Sequence, residues 1–275
     1  MIAVARPAAA ARWRPAPFIA ASIGLHAAAI AGALLSPGAW KWSLAAIAGN
    51  HAILTLLGLW PRSTALGPNV TRLPERAAAR GEVALTFDDG PDPEVTPRIL
   101  DLLESRGARG TFFCIASRAE RHPEVVAEIA RRGHSVENHS RGHSPLFATH
   151  GIGGFRREIG AAQAALARCA GRAPRFFRPP AGLRNPLLDP ALHALGLRLA
   201  TWTRRAFDTR NGDAADVAER LLRGLAAGDI LLLHDAGGAR TATGTPVVLE
   251  ALPLVLDAIA ARGLRAVTLD HAIDP

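Results

Sequence analysis

The sequence has no tyrosine, one methionine and two cysteines among its 275 residues. Cys114 and Cys169 lie too far apart for a C-x-x-C motif, which excludes the usual cysteine-based metal and redox sites. Cys114 stands in the apolar run Thr-Phe-Phe-Cys-Ile-Ala and is predicted to be a buried free thiol. No G-x-G-x-x-G motif opens a helix behind the first apolar strand, so a dinucleotide-binding sheet has little support.

Lysine is almost absent as well, because Lys41 is the only one and the formal net charge of +8 comes from arginine. A basic chain can bind nucleic acid or an anionic membrane surface. No segment alternates arginine with aromatic residues that stack on bases, so we expect no nucleic-acid partner. With 49% hydrophobic residues the chain is too apolar for a disordered protein and long enough for one large domain plus an additional segment.

Two long apolar runs fill most of the first 62 residues. Residues 18–35 and 42–60 each approach the ~20 residues that cross a hydrocarbon core. Tryptophans stand where interfacial aromatic residues belong, at Trp40, Trp42 and Trp60. Three polar residues in the runs need partners to be tolerated in hydrocarbon, namely His26, Asn50 and His51. A cleavable leader is the alternative for the first run, but a second run follows at once, so a two-helix membrane hairpin in residues 1–62 is the prediction.

Basic residues flank the hairpin on its outer sides. They are Arg6, Arg12 and Arg14 before the first run and Arg62, Arg72, Arg76 and Arg80 after the second, with only Lys41 between the runs. The positive-inside rule then puts both ends of the hairpin, and everything after it, on the cytoplasmic side of the inner membrane. Residues 63–80 follow Pro61, contain Pro68 and Pro74 and are predicted to be a connector, which leaves residues 81–275 as a separate domain.

From residue 81 onward, short apolar runs alternate with segments of helical periodicity. The predicted strands are 82–87, 110–115, 134–138, 175–178, 197–203, 230–233 and 265–269. Alternation at this spacing predicts a parallel α/β fold, either an open sheet or a barrel. Seven strands in 195 residues favour a distorted (β/α)7 barrel, slightly smaller than the eight-stranded form.

Residues capable of chemistry cluster directly after the predicted strands. Asp88 and Asp89 follow the first strand, and the others are His139, His143, Arg178, Asp208 and His234. In parallel α/β folds the carboxyl ends of the strands meet on the face that holds the active site. Turn acids and surface histidines without a function would scatter over both faces, so we expect these side chains to converge.

The pair His139 and His143 has the spacing of a metal site if its loop curls like a helical turn. A solvated loop pair is the plainer interpretation of the two histidines taken alone. With one carboxylate added, the trio matches the three-ligand pattern of hydrolytic metal centres. A divalent ion lowers the pKa of water from ~15.7 to about 7, so one of the paired acids could bind the ion and its neighbour could accept a proton.

The remaining polar residues fit supporting roles. Arg178 could hold the base ionised and oriented, His234 could protonate the leaving group, and Asp208 could orient His234. A structural ion pair for Arg178 and a buried strand-end histidine for His234 are the alternatives that the residues themselves leave open.

Four motifs, in order, resemble the signatures of the NodB-type polysaccharide deacetylases, carbohydrate esterase family four. They are T-F-D-D-G (86–90), H-S-R-G-H (139–143), R-P-P-A-G (178–182) and L-L-L-H (231–234), and W-T-R-R-A-F-D (202–208) is similar to a degenerate fifth motif. The resemblance covers about 81–270. It implies a distorted barrel that removes N-acetyl groups from amino sugars.

The resemblance also implies a role for individual residues. Asp88 would be the general base and His234 the general acid, with Arg178 and Asp208 assisting them. One divalent ion, zinc or alternatively cobalt, nickel or iron, would be held by Asp89, His139 and His143. Ala181, Pro180 and Leu232 would contact the substrate or its oxyanion.

Two positions depart from the family pattern. Ala181 stands where the family usually has tyrosine, which removes an aromatic wall of the sugar site but keeps a backbone N–H for the oxyanion. Arg205 stands where an acid is common, which leaves Asp208 as the only acid of that motif. The resemblance therefore predicts preserved chemistry and altered substrate contacts.

The predicted substrate is an N-acylated glycan or, for a cytoplasmic domain beside the membrane, a lipid-linked sugar. Two alternatives stay open. Some relatives remove formyl groups from undecaprenyl-linked aminosugars, and a membrane-held sugar-binding protein without activity would also keep the fold.

Overall fold

The apolar run that ends at the paired acids forms the central strand of the sheet. In the structure, a computed structural model that describes residues 12–274, β1 spans Glu82–Asp88 and is buried along its whole length. Its side chains alternate between two cores, as the period of two requires. Val83, Leu85 and Phe87 join the outer core, and Ala84 joins the inner one. Arg6, on which part of the orientation prediction rests, lies outside the described residues.

Eight strands form one parallel sheet that curls into an incomplete barrel. The strands are β1 (Glu82–Asp88), β2 (Gly110–Cys114), β3 (Ser135–Asn138), β4 (Phe176–Phe177), β5 (Arg198–Leu199), β6 (Arg204–Arg205), β7 (Ile230–His234) and β8 (Arg265–Val267). Their order is β5-β4-β3-β2-β1-β7-β6, and β8 pairs with the first half of β1. The predicted distorted parallel barrel is confirmed.

The predicted strand 197–203 is wrong as a single element. It is interrupted between β5 and β6, where the backbone carbonyls of Ala200 and Thr201 accept hydrogen bonds from the buried Arg178 guanidinium. Val70 also bridges to Ala200 at this point, in place of a neighbouring strand of the sheet. The predicted run therefore contains only β5, and β6 follows it at Arg204–Arg205 as an eighth strand.

The α-helices comprise an N-terminal pair before the barrel and a set that packs around the sheet. They are α1 (Pro17–Leu35), α2 (Trp40–Leu59), α3 (Glu75–Ala79), α4 (Val95–Glu104), α5 (Ala116–Ala119), α6 (Pro123–Arg131), α7 (Ile152–Ala170), α8 (Leu188–Ala194), α9 (Ala214–Leu222), α10 (Val247–Ala261) and α11 (Leu269–Ile273). The outer core lies between the sheet and α4, α6, α7, α9 and α10. Cys114 is buried there as a free thiol, as predicted.

Residues 63–80 pack against the barrel. Val70 donates its N–H to the Leu199 carbonyl and accepts the N–H of Thr201, at 2.9 and 3.0 Å, beyond the end of β5. Further along, Leu73 donates to the Gly228 carbonyl just before β7. This segment therefore crosses the opening of the sheet between its edge strands β5 and β6, continues to the start of β7, and fixes where the preceding hairpin meets the barrel.

The two N-terminal apolar runs form α1 and α2, which pack side by side and are long and apolar enough to cross a membrane. Their polar residues pair with one another between the helices. Ser22 Oγ donates to Asn50 Oδ1 at 2.7 Å, and the Nε2 atoms of His26 and His51 lie 3.2 Å apart. These pairings supply the partners that polar groups in hydrocarbon require.

The end of α2 contacts the rim of the barrel. The Arg184 N–H donates to the Gly58 carbonyl at 3.2 Å. A Cβ at Gly58 would lie 2.2 Å from the Arg184 carbonyl oxygen, so only glycine allows this approach. Trp13, which precedes α1, donates its indole N–H to Asp189 at 2.8 Å. The hairpin thus contacts the loop after β4, at the carboxyl ends of the strands.

Candidate active site

Asp88 and His234 end adjacent strands at the same level. In the register of β1 and β7, Thr86 pairs with Leu232 and Asp88 pairs with His234. Asp88 and His234 belong to the alternating residues of β1 and β7 whose side chains face the barrel interior. The sheet register alone therefore brings the predicted base and the predicted acid next to each other.

Arg178 is completely buried and lies beside Asp88. Its guanidinium donates to Asp88 Oδ1 at 2.6 Å and to Thr86 Oγ1 at 2.9 Å, as well as to the two carbonyls that interrupt the fifth strand. The Phe113 ring centre lies 4.0 Å from its Cζ. These hydrogen bonds fix the guanidinium, so Arg178 holds the Asp88 carboxylate in one orientation. Removing one partner of a buried pair of this kind costs about 3–5 kcal/mol of folding stability.

Asp89 turns away from its neighbour because its backbone is left-handed, with φ of 76°. Aspartate is one of the few residues besides glycine that adopts this conformation readily. Asp88 continues the strand into the barrel interior, whereas Asp89 faces the loop after β3. Adjacent acids can therefore have separate partners.

His139 and His143 meet Asp89 from the loop after β3. Both Nε2 atoms lie near Asp89 Oδ1, at 3.3 Å for His139 and 3.2 Å for His143. The loop curls because His143 adopts φ of 50°. One ligand atom from each of the three residues lies within 4.8 Å of the other two, so the predicted trio converges.

The trio has the chemistry of a divalent metal site. Asp89 Oδ1 is buried and has no hydrogen-bond donor in the part of the chain that the structure describes. His139 bonds the Arg178 carbonyl through Nδ1 at 2.8 Å, so Nδ1 carries the proton and Nε2 keeps its lone pair for an ion. Burial alone would raise the pKa of Asp89, but positive charge on the two rings, when they are protonated, holds that pKa well below its usual value, and a cation in their place would act in the same direction. An ionised oxygen between two imidazole lone pairs fits a cation.

His234 is fixed by Asp208. Its Nδ1 lies 2.9 Å from Asp208 Oδ1, and its backbone N–H donates to Asp208 Oδ2 at 2.8 Å. Burial favours the neutral imidazole, but the hydrogen bond and charge of Asp208, with smaller effects of Asp88 and Asp89, raise the pKa of His234. The ring therefore keeps its Nε2 proton to a higher pH than a free histidine.

The two acids Asp88 and Asp89 and the three histidines line one cleft of about 180 Å³, whereas the fully buried Arg178 and Asp208 do not reach it. Leu232 and Ala181 also line it, whereas Pro180 lines an adjoining cavity. Ala181 has φ of 54°, and its N–H makes no backbone hydrogen bond outside its own 3-10 turn in residues 12–274. An unused N–H beside a cleft is a donor that a ligand oxygen can take.

Sequence reasoning missed three residues around the site. Trp202 and Thr209 line the cleft. Asp235 lies beneath the acidic loop, where Thr96 donates to it at 2.6 Å and a Cβ at Gly90 would approach within 2.0 Å. Burial raises the pKa of Asp235 to about 7. The sequence signal that could have identified Asp235 is its position directly after His234.

Known proteins share the fold and these motifs. The polysaccharide deacetylase family model matches residues 75–200. A peptidoglycan-N-acetylglucosamine deacetylase of Bacillus cereus is 34% identical over 192 residues, which are 69% of this chain and 67% of that protein. The chain belongs to the polysaccharide deacetylase family. It is accordingly a hydrolase of the class that acts on amide bonds, which confirms the resemblance read from the motifs.

Two further comparisons agree with this membership. A chitooligosaccharide deacetylase of Azorhizobium caulinodans is 30% identical over 191 residues, covering 67% of this polysaccharide deacetylase and 90% of that protein. A crystal structure of a peptidoglycan N-acetylglucosamine deacetylase superposes with a TM-score of 0.66 at 31% identity, covering 74% of this chain and 92% of the other. The match extends over the barrel.

Proposed function

We propose that this polysaccharide deacetylase removes acetyl groups from N-acetylated amino sugars with one divalent ion held by Asp89, His139 and His143. The convergence of these three ligands within 4.8 Å is the observation that carries the proposal. Asp88 and His234 line the same cleft. Two imidazoles and one carboxylate suit zinc, and cobalt, nickel and iron accept similar ligands.

The bound ion would polarise the acyl carbonyl and acidify water. Asp88 would accept the proton of the attacking water, with Arg178 fixing the orientation of its carboxylate. His234 would give the proton of Nε2 to the leaving nitrogen, because Asp208 holds the other ring nitrogen.

The oxyanion would be stabilised by the Ala181 N–H. A donor of this kind contributes about 3–4 kcal/mol to transition-state stabilisation. Leu232 would form the apolar wall against the acyl methyl group, and Pro180 would fix the turn that presents Ala181. Since alanine has no ring to cover the sugar, other parts of the cleft must supply the contacts that set specificity.

The direct test is an assay of the purified protein on chitin oligosaccharides and peptidoglycan fragments, with acetate, formate and free amine measured separately. We expect acetate release that a chelator abolishes and a divalent ion restores. Formate release alone would support the deformylase alternative. No release with a bound ion would support a sugar-binding protein, an alternative that the complete set of side chains in the cleft does not favour.

The pH dependence should report on Asp208. Asp208→Asn removes the charge that raises the pKa of His234, so His234 should lose its proton at lower pH. If protonated His234 is the acid, the alkaline limb of the kcat/KM profile should move to lower pH while the acid limb stays. Asp213→Asn, an exposed helix cap, is the matched control. An unchanged alkaline limb would show that His234 is not the acid.

A lipid-linked sugar is the second candidate substrate, and a groove beside the hairpin favours it. The groove has a volume of about 570 Å³ between α2 and the loop after β4, and most of its lining is apolar. Ala148 and Leu183 belong both to this groove and to the adjoining cavity of about 450 Å³, which in turn shares His143 and Ala181 with the cleft. A lipid chain in the groove would lead its sugar toward the site.

Residues 1–62 are proposed to anchor the protein in the inner membrane, with the catalytic domain, residues 81–275, in the cytoplasm. The support is the two apolar helices and the excess of arginine on their outer flanks. Reporter fusions after residue 62 and after residue 275 should both report a cytoplasmic position. A periplasmic signal from both would reverse the orientation and favour assembled cell-wall glycan as substrate.

A further inference from the structure

The cleft contains a positively charged side chain, Arg205, to which the proposed mechanism assigns no role. Arg205 belongs to β6, pairs in register with Leu232 and lines the cleft. Its side chain makes no hydrogen bond or ion pair with any residue from 12 to 274, and its Nε is buried without an acceptor. By contrast, Arg178 has four acceptors. A partly buried guanidinium without an acceptor is costly unless a ligand supplies one.

Two aromatic rings hold Arg205 in position. The Cζ atom lies 5.5 Å from the ring centre of Trp202 and 4.9 Å from that of Phe207. Phe207 is 48% exposed and has φ of 58°, a strained conformation for a bulky residue. Strain that keeps a large ring over a cation, rather than burying the ring, indicates a built site.

Ring contacts leave the hydrogen-bonding capacity of Arg205 free. A guanidinium that stacks on a ring uses its flat face, and its N–H groups then point outward in the plane. Those groups form a rigid fork that matches the two oxygens of a carboxylate or a phosphate. The aromatic contacts thus fix the side chain without consuming its donors.

The acids of the site are already assigned. Asp88 pairs with Arg178, Asp208 pairs with His234, and Asp89 belongs to the ligand trio. With a divalent ion bound, these three carboxylates are balanced by the ion and by Arg178, and His234 in its protonated form adds a further positive charge. Arg205 therefore makes the loaded cleft positive overall.

We infer that Arg205 binds an anionic oxygen group, a carboxylate or a phosphate, on the N-acylated sugar and so determines substrate specificity. The inference rests on the proposed deacetylation and adds the chemical class of the substrate. It assigns a use to the position at which the chain departs from the family pattern. An acid there would repel the same group.

The test compares wild type, Arg205→Gln and Arg205→Lys on three N-acetylated sugars. They are a neutral chitin oligosaccharide, a disaccharide containing N-acetylmuramic acid, and N-acetylglucosamine 1-phosphate. Arg205→Gln is expected to raise KM for at least one anionic sugar by roughly 10- to 100-fold, with kcat nearly unchanged and the neutral sugar unaffected. The affected sugar tells a carboxylate from a phosphate, and Arg205→Lys should restore part of the loss.

Arg210→Gln is the matched control, since Arg210 is exposed, lies outside the cleft lining and carries the same charge. It should leave all constants unchanged. Equal losses of Arg205→Gln on neutral and anionic sugars would overturn the inference, because a merely structural arginine would act in that way.

Calorimetric titration of the same sugars separates this inference from the proposed function, because binding needs no turnover. Binding of an anionic sugar that depends on Arg205, without acetate release by wild type, would support the inference and reject deacetylation. Acetate release by wild type without any preference for anionic sugars would support deacetylation and reject the inference about Arg205.

Discussion

Asp88→Asn is expected to lower kcat/KM on an N-acetylated sugar by roughly 10²- to 10⁴-fold, the usual contribution of a general base. Asparagine has the shape of aspartate and can still accept the hydrogen bond that Arg178 donates at 2.6 Å. Its amide, however, cannot take a proton from water. The divalent ion should remain bound, because Asp88 is not among the proposed ligands. Acetate release and metal content, measured on one preparation, check both parts.

Asp92→Asn is the control for loss of a nearby charge. Asp92 Oδ1 accepts the N–H groups of Glu94 and Val95 at the start of α4, and Asp92 does not line the cleft. Asparagine caps a helix as well as aspartate does, so this variant should keep wild-type activity. If Asp88→Asn keeps more than about a tenth of the activity, another group is the base. Loss of the ion from that variant would instead make Asp88 a ligand.

The sequence predicts a strand well where the strand is long, apolar and bounded by turn residues. The runs 82–87, 110–115 and 230–233 correspond to β1, β2 and β7 to within one residue at each end. Such runs carry their own signal, because their burial on both faces leaves few alternatives. The run 197–203 has similar composition, but its carbonyls serve Arg178, and no local pattern reveals a partner some twenty residues away.

The convergence of the candidate site residues was predictable because it follows from their positions at strand ends. Side chains that directly follow parallel strands converge whatever the intervening helices contain. Finer assignments depend on contacts that spacing does not encode. The left-handed backbone that separates Asp89 from Asp88 is one, and the stacking of Arg205 on Trp202 and Phe207 is another. The sequence marked Arg205 as a departure, but only the structure shows that its donors are free.

Asp89→Asn should abolish activity by a different route, through loss of the ion. A neutral amide oxygen is a much weaker ligand than a carboxylate, so metal affinity should fall by more than the roughly 10–100-fold that an outer-shell change costs. Asparagine tolerates the left-handed backbone at this position, so the fold should be kept. Metal content after equilibration with a competing chelator measures the affinity. His143→Ala should behave in the same way.

Excess divalent ion distinguishes the role of Asp89 from that of Asp88. It should restore part of the activity of Asp89→Asn, since mass action refills a weakened site, and none of the activity of Asp88→Asn. His122→Ala is the matched histidine control, because the His122 side chain pairs with Glu124 at the start of α6 and lies outside the cleft. If Asp89→Asn kept its ion and its affinity, the metal site would have to lie elsewhere. Opposite metal contents of two variants at adjacent positions would follow directly from the backbone turn at Asp89, which sends the two carboxylates to different partners.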